Sequence, residues 1–204
     1  PNTYTRIQDA IDNASNGDTV YVYNNSSPYY ENVRVNKSIN LFGEDKETTI
    51  IDGMENDDPI WISTTHVNIK DFNVINSPKD GWSQGICVVD KKWHSPGEPY
   101  ITLTNINISN CIIENNDCGI RLDNAKDVDV YNCCIRFNTA HSIYNLYSCQ
   151  VRINKCIIHD NGEYLGVCGY SGGIIITRNP DLGHSENISI YNCNIYRNYH
   201  CGIS

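Results

Sequence analysis

The stretch Ile106-Asn107-Ile108-Ser109-Asn110-Cys111-Ile112-Ile113-Glu114-Asn115-Asn116 decides how this chain folds. Ile106 and Ile108 alternate with polar residues, then Ile113 follows a break at Asn110-Cys111. Alternation with period two is the mark of a half-buried strand. The same template returns as Val128-x-Val130-x-Asn132-Cys133-x-Ile135-x-x-Asn138 and as Val151-x-Ile153-x-Lys155-Cys156-x-Ile158-x-x-Asn161. It returns again as Ile188-x-Ile190-x-Asn192-Cys193-x-Ile195-x-x-Asn198, and more weakly as Val67-x-Ile69-x-Asp71-Phe72-x-Val74. The cysteines are 22, 23 and 37 residues apart, which defines a coil of 22 or 23 residues and one coil with an insertion.

Each repeat carries a second apolar piece beyond its closing Asn: Gly85-Ile86-x-Val88, Gly119-Ile120-x-Leu122, Ser142-Ile143, Gly173-Ile174-x-Ile176 and Gly202-Ile203. The period is too short for a two-helix repeat and suits three short strands with three turns. Stacked coils make three parallel sheets with strands about 4.8 Å apart. The expected fold is therefore all-β, a right-handed single-stranded parallel β-helix. Stacking predicts an interior cysteine column of small apolar fillers, Cys111, Cys133, Cys156 and Cys193. It also predicts an amide ladder through Asn110, Asn132 and Asn192, broken at Lys155. The composition agrees, because 28 Asn in 204 residues require either many tight turns or stacked amides.

At the N-terminus, Ile7, Ala10, Ile11 and Ala14 share one side of a predicted short helix. A solenoid needs its open end covered, and this helix is the expected cap. The reading is one domain over 1–204, with a cap at 1–18, first coils at 19–76 and repeat coils with loop insertions at 77–204. The chain begins at Pro1 and stops at Ser204 inside a repeat strand, so a longer natural protein is expected.

Ile7-Gln8-Asp9-Ala10-Ile11-Asp12-Asn13-Ala14, with Gly17-Asp18-Thr19-Val20-Tyr21-Val22, resembles the opening of pectin-lyase-like β-helix proteins. Tyr30-Glu31-Asn32-Val33, Ser38-Ile39-Asn40-Leu41-Phe42-Gly43 and Thr49-Ile50-Ile51-Asp52-Gly53 continue that resemblance. The chain is most similar to the NosD-type and surface-protein group of the carbohydrate-binding and sugar-hydrolase superfamily. The resemblance implies the fold and a carbohydrate partner; it does not imply one chemistry. The Gly-x-Gln-Asp-Thr-Leu motif of pectin methylesterases is absent, Gln84-Gly85-Ile86 being no match. The motif sets of polygalacturonases and pectate lyases are absent too. NosD relatives are linked to copper-enzyme maturation, but one Met and no His cluster give no copper site here.

Two coils carry insertions, at 77–85 and 90–100 and again at 162–172 and 178–187, each pair flanking the same strand type. Between them lie two lean coils, which predicts a shallow lateral trough walled by loops. Inward Ile120 and Leu122 imply outward Arg121 and Asp123 on its floor, near Asp117 and His141. These four are the candidate catalytic residues, since a carboxylate beside Arg or His supports acid–base chemistry on a sugar. Trp82, Trp93, His94, Tyr144, Tyr164 and Tyr170 are the candidate substrate-binding residues, because aromatic rings stack on sugar faces.

No cofactor is expected, with calcium at Asp123, Asp127 and Asp129 as the one alternative. A net charge of −9 without a basic patch argues against nucleic acid. No run of about 18 apolar residues exists, so membrane insertion by a helix is not expected. The remaining cysteines, Cys87, Cys118, Cys134, Cys149, Cys168 and Cys201, leave disulfide pairing open, and the oligomeric state is likewise open. The functional expectation is a secreted or cell-surface module that binds polysaccharide or glycan. The rivals are a polysaccharide lyase or glycoside hydrolase acting in the same trough, and a structural surface-layer spacer.

Overall fold

The computed structural model describes residues 3–91, 101–162, 172–177 and 185–204. Its strands wind into three parallel sheets of seven strands each, so the chain is a parallel β-helix. The first sheet holds Thr19–Val22, Asn40–Gly43, Val67–Lys70, Leu103–Ser109, Ala125–Tyr131, Cys149–Asn154 and Ser189–Tyr191. The second holds Tyr29–Tyr30, Ile50–Asp52, Asn73–Ile75, Ile112–Glu114, Cys134–Arg136, Ile157–His159 and Asn194–Tyr196. The third holds Val33–Val35, Ile60–Ile62, Gln84–Val88, Cys118–Asp123, His141–Leu146, Gly172–Thr177 and Cys201–Ile203.

The template residues pair with their own kind. Ile106 stands between Val67 and Val128, Ile108 between Ile69 and Val130, and Ile113 between Val74 and Ile135. All of these are buried in one continuous core. Each fully buried Val or Ile stabilises by about 1.5–3 kcal/mol over an exposed one, which is what holds the register. The cysteine column is interior as expected, headed by Phe72 in the weaker copy. The Cys133, Cys156 and Cys193 thiols donate to the carbonyls of Ile108, Val130 and Ile153 in the preceding coil, at 3.5–3.6 Å. No disulfide joins the described cysteines.

The corners explain the asparagines. Left-handed backbone (φ +50° to +64°) recurs every five residues in five successive coils: 66, 71, 76; 105, 110, 115; 127, 132, 137; 150, 155, 160; and 187, 192, 197. Ten of these fifteen seats hold Asn or Asp, and His66, Phe137, Gln150, Lys155 and Arg197 fill the rest. Asn and Asp tolerate this conformation better than other residues with a Cβ. The expected ladder exists in part: Asn132 Nδ2 donates to Asn110 Oδ1 at 3.0 Å, and Asn110 to Asp71. At Lys155 it breaks, and Asn192 bonds to Asn154 instead, at 3.3 Å.

A second ladder is deeper and unbroken. The closing asparagines Asn116, Asn138 and Asn161 are buried, and Asn198 continues their column. Each Oδ1 accepts the backbone N–H of the coil before it, Ser77, Asn116, Asn138 and Asn161 in turn, at 3.0–3.2 Å. Each Nδ2 donates to a carbonyl of that same coil: Val74, Ile113, Ile135 and Ile158. Gly85 and Gly119 make room for this ladder, since a Cβ on them would meet Asn116 Nδ2 at 2.7 Å and Asn138 Nδ2 at 3.2 Å.

The helix Ile7–Asn13 lays Ile7 and Ile11 on the core, with Ala10 and Ala14 against it. Its own N-cap residue, Arg6, makes no side-chain cap. Glu31, from the first coil, does so instead, accepting the N–H groups of Ile7 at 2.9 Å and Gln8 at 3.0 Å. An acidic group there satisfies orphan donors and matches the helix dipole.

Candidate functional site

Both described insertion-bearing strands, Gln84–Val88 and Gly172–Thr177, lie in the third sheet, with Cys118–Asp123 and His141–Leu146 between them. The outward column there runs Trp61, Cys87, Arg121, Tyr144, Ile175. Tyr144 is thus the register partner of Arg121 and shares its face. The floor differs from expectation in one respect: it is covered rather than open. Cys87, Cys118, Asp123, His141 and Ile175 are all buried, although they sit on the outside of the sheet.

Arg121 Nη2 donates to Asp123 Oδ2 at 2.7 Å, two residues along the same strand. Their side chains are 26% and 8% exposed. Burial works against the Arg121 charge, but the Asp123 carboxylate, with smaller help from Cys87 and Cys118, outweighs it and raises the guanidinium pKa. The His141 ring lies 5.1 Å from the Tyr144 ring. Burial lowers the His141 pKa, so the imidazole is neutral near pH 7.

Asp117 stands at the other end of the strand. Its carboxylate accepts from the Thr139 hydroxyl at 2.9 Å, and its backbone N–H donates to Ser77 Oγ at 2.9 Å. Burial raises its pKa; Thr139 and the backbone N–H groups of Gly81 and Ser83 pull the other way, and Asp80 adds repulsion. The Asp117 carboxylate thereby tethers the loop that presents Trp82. Asp80 shapes that loop, accepting from the N–H groups of Trp82 and Ser83 at 2.9 Å each. Trp82 itself is 63% exposed at the rim.

The face therefore gathers Asp117, Arg121, Asp123, His141, Tyr144 and Trp82. Trp93, His94, Tyr164 and Tyr170 lie outside the described residues. Sequence reasoning missed Cys87 and Cys118, although the Gly85-Ile86 and Gly119-Ile120 copies fix both positions. Along strand geometry, Asp117 and Asp123 are roughly 20 Å apart.

Buried polar atoms without a partner mark the same strands. Among the described residues there are eight, and five belong to Cys118–Asp123 and His141–Leu146: Arg121 Nε, Asp123 Oδ1, His141 Nδ1, Ser142 Oγ and Asn145 Oδ1. Ser142 occupies the Gly119 position beside the inner ladder, and Asn145 pairs with inward Leu122, so those two face the interior. Arg121, Asp123 and His141 are left on the outer face, with one donor, one acceptor and one imidazole nitrogen unmet. Buried groups of this kind are rare in native proteins and ask for a partner.

The other outer faces are built differently. On the first sheet a shallow groove runs past Lys70, Asn107, Tyr131 and Tyr191. Its charges are spent on one another, with Arg152 Nε and Nη2 donating to Asp129 at 2.5 and 2.7 Å. Lys155 Nζ donates to the Tyr131 hydroxyl at 2.9 Å. Of the three aspartates named for calcium, Asp123 and Asp129 stand on strands of different sheets and each accepts from an arginine. No group of three or more His, Cys, Asp or Glu poised to hold a metal exists among the described residues. Nor is any described helix long and apolar enough to cross a membrane. Comparison of the chain with protein-family models, with curated proteins and with solved structures gives no match.

Proposed function

We propose that this β-helix binds polysaccharide or glycan across the outer face of its third sheet, between the two insertion-bearing coils. The reading makes it a secreted or cell-surface module of the pectin-lyase-like, NosD-type kind that the chain resembles. One observation carries it: Asp117, the part-exposed Arg121 paired with Asp123, Tyr144 and the well-exposed Trp82 gather on this one outer face, polar groups beside aromatic rings. A sugar hydroxyl both donates and accepts, so neighbouring hydroxyls satisfy a donor and an acceptor side by side. The Arg121–Asp123 pair is neutral as a unit, which favours a neutral glycan over a polyuronate. Tyr144 on the floor and Trp82 on the rim supply rings for the apolar faces of the sugar.

The enzymatic reading rests on His141, an imidazole that burial keeps neutral, set beside the Tyr144 ring on this face. A two-carboxylate glycosidase has its carboxyl groups about 5–9.5 Å apart. Asp117 and Asp123 are too widely spaced to be such a pair, which supports a lyase with His141 as base over a glycosidase built on those two.

A glycan array followed by affinity electrophoresis on neutral and acidic polysaccharides tests the proposal. Arg121→Gln and Tyr144→Ala should each weaken binding at least about tenfold. Tyr131→Ala, on the first sheet, should leave it unchanged. Binding lost equally in Tyr131→Ala, or absent from every polysaccharide, would refute it. Formation of unsaturated ends that stops in His141→Gln would establish the lyase.

A further inference from the structure

We infer that Cys134, on the outer face of the second sheet, is a thiol activated by His159 and Asp160, and that it takes apolar low-molecular-weight disulfides by thiol–disulfide exchange. Cys134 and His159 lie on adjacent strands, one step apart diagonally, since Cys134 pairs with Ile157 and Arg136 with His159. Cys134 Sγ is 4.0 Å from His159 Nε2, within reach of a sulfur hydrogen bond. His159 Nδ1 is 2.6 Å from Asp160 Oδ2. Asp160 is itself held by Arg197, whose Nε and Nη2 donate to it at 2.7 and 2.5 Å.

This is a nucleophile, a base and an orienting carboxylate in line. Arg197 first, and His159 with it, hold Asp160 well below the usual carboxylate range, so it stays ionised. An ionised Asp160 fixes the proton of neutral imidazole on Nδ1 and turns the free Nε2 lone pair toward Cys134. The ring is clamped as well, stacked on Tyr196 at 5.0 Å and 2° and edge-on to Phe137 at 5.9 Å. Only 12% of the His159 side chain is exposed. The cysteines of the interior column make a contrast, their thiols being spent on carbonyls.

Burial pushes the Cys134 thiol up, and the charges that face it, Arg136, Glu114, Lys46 and Glu47, oppose one another in sign. Little thiolate therefore forms unaided at neutral pH, and reaction runs through the imidazole. His159 Nε2 takes the thiol proton as Sγ attacks one sulfur of the disulfide. An Sγ–S bond forms and the S–S bond breaks. Its electron pair leaves on the departing sulfur, which takes the proton back from the imidazolium. Cys134 ends oxidised as a mixed disulfide, and half of the small disulfide is released as a thiol. The rim of Phe137, Ile157 and Tyr196, all exposed, sets the preference for an apolar or aromatic disulfide.

Dipyridyl disulfide is the probe, with the rate of adduct formation at each cysteine read by peptide mass spectrometry on the folded chain. At pH 7 Cys134 should react faster than the part-exposed Cys149 and Cys201. His159→Gln should slow Cys134 by about tenfold or more at pH 7. The two proteins should converge at alkaline pH, where hydroxide ionises the thiol directly; Asp160→Asn should fall between them. Wild-type Cys134 reacting no faster than Cys149 would overturn the inference without any variant. So would a His159→Gln protein, folded by circular dichroism, that keeps the wild-type rate at pH 7.

Discussion

The outer faces of the third and first sheets carry the same contact, an arginine against an aspartate, in opposite settings. Arg121 and Asp123 are 26% and 8% exposed, and atoms of both remain buried and unpartnered. Arg152 and Asp129 are 43% and 42% exposed, and the guanidinium meets both carboxylate oxygens. One face is a surface with its charges matched. The other is a covered floor with hydrogen-bonding capacity to spare. The strands beneath are interchangeable, so the difference lies in what the outward residues face.

Removing one partner from each pair gives the largest expected effect. Asp123→Ala leaves Arg121 uncompensated in a mostly buried place and should cost about 3 kcal/mol in urea unfolding. Asp129→Ala should cost no more than about 1 kcal/mol. Equal costs would mean that the two faces are energetically alike, and the comparison would fail.

The two asparagine ladders sharpen the same contrast. Asn138→Ala strips the Asn116 N–H of its acceptor and two carbonyl-side partners of their donor inside the core, and should cost about 2–3 kcal/mol. Asn132→Ala, in the outer ladder, removes a bond between exposed amides and puts Ala in a left-handed seat, and should cost about 1 kcal/mol, mostly backbone strain. Urea midpoints at constant m-value check both.

His141 gives a smaller, pH-dependent effect. Its folded pKa lies below the ordinary 6.5, so the unfolded chain binds the proton more readily. Its contribution is complete above about pH 6.5 and is lost as pH falls through the folded value. His141→Gln should therefore lose less stability than the wild type between pH 7 and 5. A wild-type curve parallel to the variant's would show that His141 is not buried in solution. The smallest change is Lys155→Asn, which puts a tolerant residue into a left-handed seat (φ 55°) and offers the outer ladder its missing rung. Thermal unfolding should move up by about 2 °C.

Much of this was legible in the chain. The aliphatic alternation fixed which residues stack, because parallel strands in register place each repeat on its neighbour. The cysteine column, the N-terminal helix and the break at Lys155 followed from the same logic. The two strands that the insertions flank stand in one sheet, as their shared template implied. The role of asparagine was legible only in part. Stacking of Asn110 on Asn132 was foreseen, whereas the stronger ladder through Asn116, Asn138 and Asn161 was visible only as a spacing.

What the sequence determined by itself is whatever a single coil encodes and stacking then copies: period, strand faces, corner residues and core. Tertiary structure alone decided that Glu31 caps a helix 24 residues away from it, that the third sheet's outer face is buried, and that Cys134 meets His159 on a diagonal. Those contacts depend on how far one coil is offset from the next and on what approaches a face from outside. Neither is written in the repeat, because a repeat specifies its own fold and its nearest neighbours, while a site is assembled from residues whose only relation is distance in space.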